Sequence, residues 1–485
     1  MPNPQTRVQY QTVIGLEIHV QLLTRSKIFA NEGFSFGSPP NHHVSVITMA
    51  HPGALPSINH RCINHAVRIG LATHCQINRN SFFARKNYFY PDLPKGYQLS
   101  QDTDPICTGG YVDIRGEDGE WKKIRLTRIH LEEDAGKSLH DQDPHISMID
   151  LNRAGVGLVE VVTEPDLRSA EDAATLLAEI RRLVRFLEIS DGNMEEGSLR
   201  CDANISVMPV GSQKLGTRVE VKNMNSFNHL ARAITYESER QIALIESGGR
   251  VVQETRTWDV NAQKTAPMRQ KESADDYRYF PEPDLLPLGL TEEYIESIKA
   301  TIPRLPQDLY KEYTETLGIP HNEAMTLTEQ KSFADYFEAV RKCTSWEKEA
   351  SNWLLGPVRA WLNETGQEIS DFPLSPAQLT ALIGLVQENK ISNHAAREQV
   401  FPAMLLQPEA SPLTLAREMN ILLESNEDAV AQAMQKLMDE FPEETSRYRA
   451  GKKGLKGFFV GHLMRQFQGK ANPKEVNAVV ENLLG

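Results

Sequence analysis

Apolar and polar residues alternate strictly over Gly15-Leu-Glu-Ile-His-Val-Gln-Leu22, so Leu16, Ile18, Val20 and Leu22 share one side of a strand and Glu17, His19 and Gln21 the other. A carboxylate and an imidazole then point the same way. The pattern recurs at 199–207, where Leu199, Cys201, Ala203, Ile205 and Val207 alternate with Arg200, Asp202, Asn204 and Ser206. A third strand is expected over Ile124–Glu133, ending in Glu132 and Glu133, and a fourth where Arg218, Glu220 and Lys222 alternate with Val219 and Val221. Frequent Gly and Pro and irregular stretches such as 90–97 continue this strand-and-loop texture from Val13 to about Pro287. Helices interrupt it. Ser169–Leu187 opens close to a capping box, with Asp172 three residues after Ser169, and Phe227–Ser247 stops at Gly248-Gly249.

Beyond a boundary at Phe280–Pro287 the spacing becomes helical, predicting helices at 306–317, 322–341, 348–363, 375–389 and 393–404. Pro408–Pro412 reads as a linker, and helices at 415–424, 427–441, 458–467 and 473–484 follow. The fold class expected is α+β: a mixed, largely antiparallel sheet domain over 1–298, an all-α domain over 299–409 and a helical tail over 410–485.

At 485 residues, 40% hydrophobic and 24% charged, the chain has room for about three globular domains. Its net charge of -13 excludes a surface that attracts nucleic acid everywhere, so such a partner needs a local basic patch. One exists. Arg447, Arg449, Lys452, Lys453, Lys456, Arg465, Lys470 and Lys474 follow one another with no acid among them, and Gly451, Gly454 and Gly457 would let a phosphodiester approach the backbone. Phe458 and Phe459 offer packing or stacking surface there. The five cysteines are scattered without a CxxC pair, which proposes neither disulfides nor a metal site. No apolar run approaches the roughly 20 residues that span a bilayer, the opening lacks a signal-peptide core, and a strand beginning by Val13 leaves little room for a transit peptide.

Acids on the solvated side of an antiparallel sheet ordinarily bind nothing. Four such strands in one sheet would instead gather carboxylates, one histidine and cations on a single face, which suits Mg²⁺ and phosphate chemistry. Ala135-Gly-Lys-Ser138 resembles the end of a P-loop, but that loop would need Gly at the position of Leu131. An ATP site here is therefore of another type.

With these motifs in view the chain resembles the B subunits of tRNA-dependent glutamyl/aspartyl amidotransferases. The likeness covers nearly the whole length and rests on GLEIHVQL (15–22), PGALP (52–56), YPDLPKGYQLSQ (90–101), RIHLEEDAGKS (128–138), DLNRAGVGLVEVVTEPD (150–166), EEGSLRCDANIS (195–206), VEVKNMNS (219–226), QETRTWD (253–259), DYRYFPEPDL (276–285) and GFFVGHLMRQFQGKANP (457–473). The resemblance implies ATP-dependent amidation of Glu on tRNA(Gln) or Asp on tRNA(Asn), this subunit phosphorylating the side-chain carboxylate and ammonia then displacing phosphate. It makes 1–298 a catalytic cradle domain and 410–485 a tRNA-binding tail.

Carried over by position, Glu17 and His19 match the family's metal-binding strand, Glu132 and Glu133 its acidic strand end, and Asp202 and Glu220 the later acids. Oxygen ligands at about 2.1 Å suit Mg²⁺, while a histidine ligand suits Mn²⁺ better or acts behind the ligands. Lys95 and Lys222 are candidates for phosphate contact, Lys95 alternatively for lining the ammonia path; Asn223, Arg153 and Arg278 are candidates for substrate or nucleotide. Many relatives carry two cysteine clusters after KIF and before PGALP, but Ala30-Asn-Glu32 and Ser45-Val-Ile-Thr48 stand there, so no structural zinc is expected. With no amidase-like Gly-Ser-Ser-Gly run, glutamine hydrolysis is expected on an A subunit, braced by a small C subunit, in the cytoplasm. Two rival readings remain, a non-catalytic tRNA-binding scaffold and a free-standing ammonia ligase. Nucleotide binding by the isolated chain separates the first; the basic tail argues against the second.

Overall fold

A computed structural model of the chain describes residues 8–139, 145–270, 274–423, 427–467 and 471–485. The chain divides into two compact units, the first ending at Asp308 and the second beginning at Leu309. A ten-stranded sheet forms the first. We number nine of its strands β1 (Tyr10–Gln21), β2 (Gln76–Ile77), β3 (Cys107–Thr108), β4 (Trp121–Glu133), β5 (Gly157–Thr163), β6 (Leu199–Pro209), β7 (Val219–Lys222), β8 (Glu254–Asp259) and β9 (Lys264–Gln270). They lie in the order β9-β8-β7-β6-β1-β5-β4-β3-β2, with Tyr111–Arg115 also pairing to β4. Among the described residues of this sheet, only the β7–β8 pairing is parallel.

All four strands expected from alternation thus share one sheet. Their apolar sides, including Leu16, Ile18, Cys201, Ala203, Ile129 and Val221, are buried in the core. Helices α1 (His60–Ala72), α2 (Ala170–Phe186) and α3 (Phe227–Glu246) pack with this sheet, leaving the other face for charged side chains. Ser169 Oγ and Ser226 Oγ cap α2 and α3, accepting from the backbone N–H of Asp172 and His229 at 3.0 and 3.1 Å. A small sheet, in which Ala84–Asn87 pairs with both Tyr97–Ser100 and Phe280–Pro281, brings Lys86 and Gln98 to the charged face beside His19 and Glu132.

Two elements depart from the sequence reading. Strand β5 lies between β1 and β4, yet it shows no clean alternation, because Leu158 and Val162, opposite Gln21 and Glu17, share the charged side with Glu160 while Val159 and Val161 fill the other. Helix α1 hides its apolar stripe of Cys62, Ile63, Ala66, Val67 and Ile69 among His60, Arg61, Asn64, His65 and Arg68.

The second unit is helical, which gives the α+β class as expected. The helix predicted at 322–341 is two, His321–Leu327 and Lys331–Arg341, with the Thr328 hydroxyl turned back onto the Ala324 carbonyl at 2.8 Å between them. Those predicted at 306–317, 348–363 and 393–404 each contain a π turn, at Glu312–Thr316, Leu354–Val358 and Ala396–Val400. Pro357, inside one of them, has no N–H to donate to the helical ladder. The helix predicted at 415–424 is Pro412–Glu418, and Pro442–Arg449 is an additional helix with proline at its first position. Among the described residues no helix is long and apolar enough to cross a membrane.

Candidate active site

Register builds the site. In the β1–β6 pair Glu17 stands opposite Asp202 and His19 opposite Arg200; in β1–β5 His19 stands opposite Glu160; and in β5–β4 Glu160 stands opposite His130. Asn204 of β6 faces Glu220 of β7. Directly opposed residues of a pleated sheet project to the same side, so these charges converge without any loop to carry them.

They form two groups. Ligand atoms of His19, Glu132 and Glu160 lie within 4.8 Å of one another, and so do those of Glu17, Asp202 and Glu220. His19 Nε2 is 3.5 Å from Glu132 and 3.6 Å from Glu160, while His130 Nε2 is 3.2 Å from Glu160 and 3.8 Å from Glu132. In the second group Lys222 Nζ reaches Asp202 at 2.5 Å and Glu220 at 3.1 Å, and Asn204 Nδ2 donates to Glu17 at 2.9 Å. Three carboxylates suit a hard cation such as Mg²⁺; the group containing His19 also admits Mn²⁺.

A cavity of about 320 Å³ opens beside these groups, lined by His19, Glu132, Asp202 and Lys222 together with Lys86, Tyr88, Asp134, Arg153, Arg200 and Asn223. Burial alone would lower the Lys222 pKa, but Asp202 and Glu220 hold its ammonium above the usual lysine range. Burial also opposes charge on His130, and Glu160 and Glu132 outweigh it, raising the imidazole to about 9. The reciprocal effect keeps Glu132 and Glu160 ionised: burial pushes both up, and the facing imidazoles bring both below the usual carboxylate range. Lys86 is held charged against burial by Glu132 and Glu160, and Arg200 by Asp134, which its Nη2 meets at 2.7 Å. Arg153, also in the lining, donates to the carbonyl oxygens of Ala135 and Gly136 at 3.0 and 2.7 Å.

Not every expected residue joins this cluster. Glu133 faces away from Glu132, where its carboxylate pairs with Lys95 and accepts from the Leu99 N–H at 2.9 Å. The two acids, adjacent in the chain, thus belong to different sites. Lys95 and Glu133 line a separate narrow pocket with Phe29, Leu93, Thr48 and Gly155. Arg278 is exposed, with φ +47°, outside the cavity lining. Asn223 lines the cavity, its amide donating to Thr257 at 2.9 Å.

The residues missed by sequence reading are Glu160, His130, Lys86, Tyr88 and Asp134. Alternation puts Arg200 on the polar face but assigns it no role. The apolar run of β5 hides Glu160, whereas Asp134 follows the two glutamates directly.

The segments after KIF and before PGALP are joined by polar contacts. Glu32 accepts from the Thr48 hydroxyl, and the fully buried Lys27 ammonium lies 3.5 Å from Glu32 and donates to the His43 carbonyl at 2.6 Å.

In the tail, Lys452, Lys453 and Arg465 are exposed, and Lys470 lies outside the described residues. Lys453 donates to the Gly485 carbonyl at 3.0 Å and lies over the Tyr448 ring, while Lys456 pairs with Glu481. Phe459 is buried in the tail core, and Phe458 packs edge-on against it and Phe441, so both rings serve packing. A Cβ added at Gly451, Gly454 or Gly457 would meet nothing, which leaves the backbone there open to an approaching partner.

Comparison with known proteins adds two family matches: residues 12–296 match the GatB/GatE catalytic domain and residues 335–484 the GatB domain. The chain is 45% identical to the B subunit of the aspartyl/glutamyl-tRNA(Asn/Gln) amidotransferase of Thermodesulfovibrio yellowstonii, over 98% of this chain and 100% of that protein. It is 47% identical to the protein of the same name from Geotalea uraniireducens, over 98% of this chain and 99% of the relative. The one from Halorhodospira halophila is 46% identical over the same shares.

Proposed function

The chain belongs to the family of aspartyl/glutamyl-tRNA(Asn/Gln) amidotransferase B subunits, and on that footing we propose that its charged sheet face activates the side-chain carboxylate of Glu on tRNA(Gln), or Asp on tRNA(Asn), with ATP. The enzyme is a carbon–nitrogen ligase that takes its amide nitrogen from glutamine. Convergence of two carboxylate groups and several cations on one cavity carries the assignment of the site.

A carboxylate is a poor acyl donor because its oxygen is a poor leaving group. A bond from that oxygen to the γ-phosphorus of ATP forms as the β–γ bridging bond breaks, ADP departs, and the acyl phosphate has a good leaving group. Ammonia then attacks the acyl carbon, phosphate leaves with the bonding pair, and the nitrogen loses a proton to give the amide. Glu17, Asp202 and Glu220, with His19, Glu132 and Glu160, would hold Mg²⁺, which when bound screens phosphoryl charge. Lys222, Lys86 and Arg200 present fixed positive charge where charge moves between phosphate and carboxylate oxygens. His130, charged between Glu160 and Glu132, keeps those acids ionised and oriented. The Lys95–Glu133 pair, facing its own pocket away from both groups, fits the ammonia path better than phosphate contact.

The amidase A subunit would deliver ammonia there, with the small C subunit completing a cytoplasmic heterotrimer. Residues 1–298, 299–409 and 410–485 are the cradle, helical and tail domains in this reading. Lys452, Lys453, Lys456, Arg465 and Lys470 hold tRNA, and the Lys27–Glu32–Thr48 contacts tie together the segments that a zinc ion would otherwise join.

Amidation by the assembled complex tests this. Glu17→Gln, Glu132→Gln and Asp202→Asn should each abolish ATP-dependent product formation while glutamine hydrolysis by the partner continues; near-normal amidation in all three would refute the site.

A further inference from the structure

Glu220 lies on a short strand, and what holds its carboxylate comes from the next one. In the parallel β7–β8 pairing Thr255 stands opposite Glu220, and its hydroxyl donates to Glu220 Oε2 at 2.8 Å. Lys222 lies 3.1 Å from the other oxygen, Oε1. Thr255 is only 2% exposed and Glu220 6%, so bulk water is poorly placed to replace that hydroxyl. Strand β8 is itself pinned. Arg256 donates to the hydroxyl and carbonyl of Thr265 on β9 at 2.9 Å each, and the Thr265 hydroxyl donates at 2.8 Å to Glu237, a fully buried acid on α3.

We infer that Thr255 is a positioning residue for a divalent cation held by Glu17, Asp202 and Glu220, its hydroxyl fixing the Glu220 carboxylate in the orientation that closes the three-acid set. The inference rests on the reading of those acids as a cation site. Without that hydroxyl Glu220 Oε2 loses the hydrogen bond that sets the plane of the carboxylate. With the hydroxyl in place, both oxygens are specified before a cation arrives, which is how partners behind a metal ligand raise affinity.

Mn²⁺ titration of the full chain, followed by the electron paramagnetic resonance of free Mn²⁺, separates the possibilities. Thr255→Val keeps the shape of the side chain and removes the hydroxyl; Thr255→Ser keeps the hydroxyl and removes a methyl. Binding at one class of site should weaken about 10–100-fold in Thr255→Val and stay within about 3-fold of the parent in Thr255→Ser. A packing role would reverse that order, the Val variant behaving as the parent and the Ser variant weakening, and would overturn the inference. Glu220→Gln calibrates the measurement. If it removes a Mn²⁺ site that Thr255→Val leaves intact, the positioning role is wrong and the cation site stands. If Glu220→Gln and Asp202→Asn both bind Mn²⁺ as the parent does, the cation reading falls and takes the inference with it. Thermal unfolding of each variant checks the fold, and Thr255→Ala supplies the hydroxyl-free arm should the Val variant not fold.

Discussion

The charged face of the sheet and the basic tail both concentrate ionisable side chains, but they hold them in opposite ways. On the sheet, Glu132, Glu220 and His130 are 3%, 6% and 2% exposed, each is aimed by strand register, and each meets a partner of opposite charge. In the tail, Lys452, Lys453 and Arg465 stand in solvent on short helices and turns, and Lys453 and Lys456 are partly engaged by the chain's own C-terminal residues. A buried, registered charge can act differentially on a transition state, because its geometry is set in advance. An exposed lysine contributes mainly long-range attraction, which salt screens.

The largest expected effect tests that division through kinetics. Lys222→Met removes the cation between Asp202 and Glu220 and should lower kcat for amidation by about 10²–10³ with KM for aminoacyl-tRNA nearly unchanged. Deleting 413–485 should do the reverse, raising KM strongly while kcat at saturating tRNA persists. Steady-state amidation by the assembled complex reads both. A Lys222→Met enzyme that fails only in KM, or a tail deletion that fails only in kcat, would break the comparison.

The same contrast explains what was legible in the chain. Period-two alternation exposed Glu17, His19, Glu132 and Asp202 because a sheet buried on one side writes its geometry directly into sequence. Glu160 is masked because Leu158 and Val162 share its side of the strand, and Lys86 because it comes from a four-residue strand brought over the face by the fold. Adjacency misleads once: it groups Glu132 with Glu133, whereas alternation at the strand end sends them to opposite sides. Tail residues were legible only as composition, which locates a patch but assigns no partner to any lysine, so the Lys456–Glu481 contact had no signature. Helix breaks in the second unit were invisible for a related reason. Thr328 folding onto Ala324 and the π turns are local backbone adjustments that leave helical spacing almost intact.

An intermediate effect concerns stability beneath the sheet. His65 on α1 is buried, with one ring nitrogen 3.1 Å from the Leu23 carbonyl and Nδ1 without a partner, and Arg61 and Arg68 lie nearby. Burial, with the two arginines adding to it, lowers its pKa to about 4, so the folded chain keeps it neutral. An unfolded histidine takes its proton near pH 6.5, and the stability contributed by the neutral form is therefore complete above that pH and lost as pH falls from 6.5 toward 4. That loss amounts to about 3 kcal/mol from this group. Urea unfolding of the full chain should show its midpoint fall across this window, and His65→Gln should flatten that part of the profile. A profile equally steep in the variant would place the acid sensitivity elsewhere.

The smallest expected effect sharpens the tail side. Replacing Lys452, Lys453 and Lys456 together would confuse two causes, because Lys453 and Lys456 also tie the tail to Gly485 and Glu481. Lys452 is exposed beside Gly451, where the backbone is open, so Lys452→Ala changes charge with little change in packing. If Lys452 contacts a phosphate, the slope of log K against log salt for tRNA should become shallower by about 0.7–0.9 while the melting temperature stays put. Lys456→Ala should give a comparable change in slope together with a small loss of stability, since an exposed ion pair is worth about 0–1 kcal/mol. Filter binding across a salt series, paired with thermal unfolding, decides between a contact and a solvated face: an unchanged slope in both variants would mean that tRNA is held by other residues, and that these lysines belong only to the tail's surface.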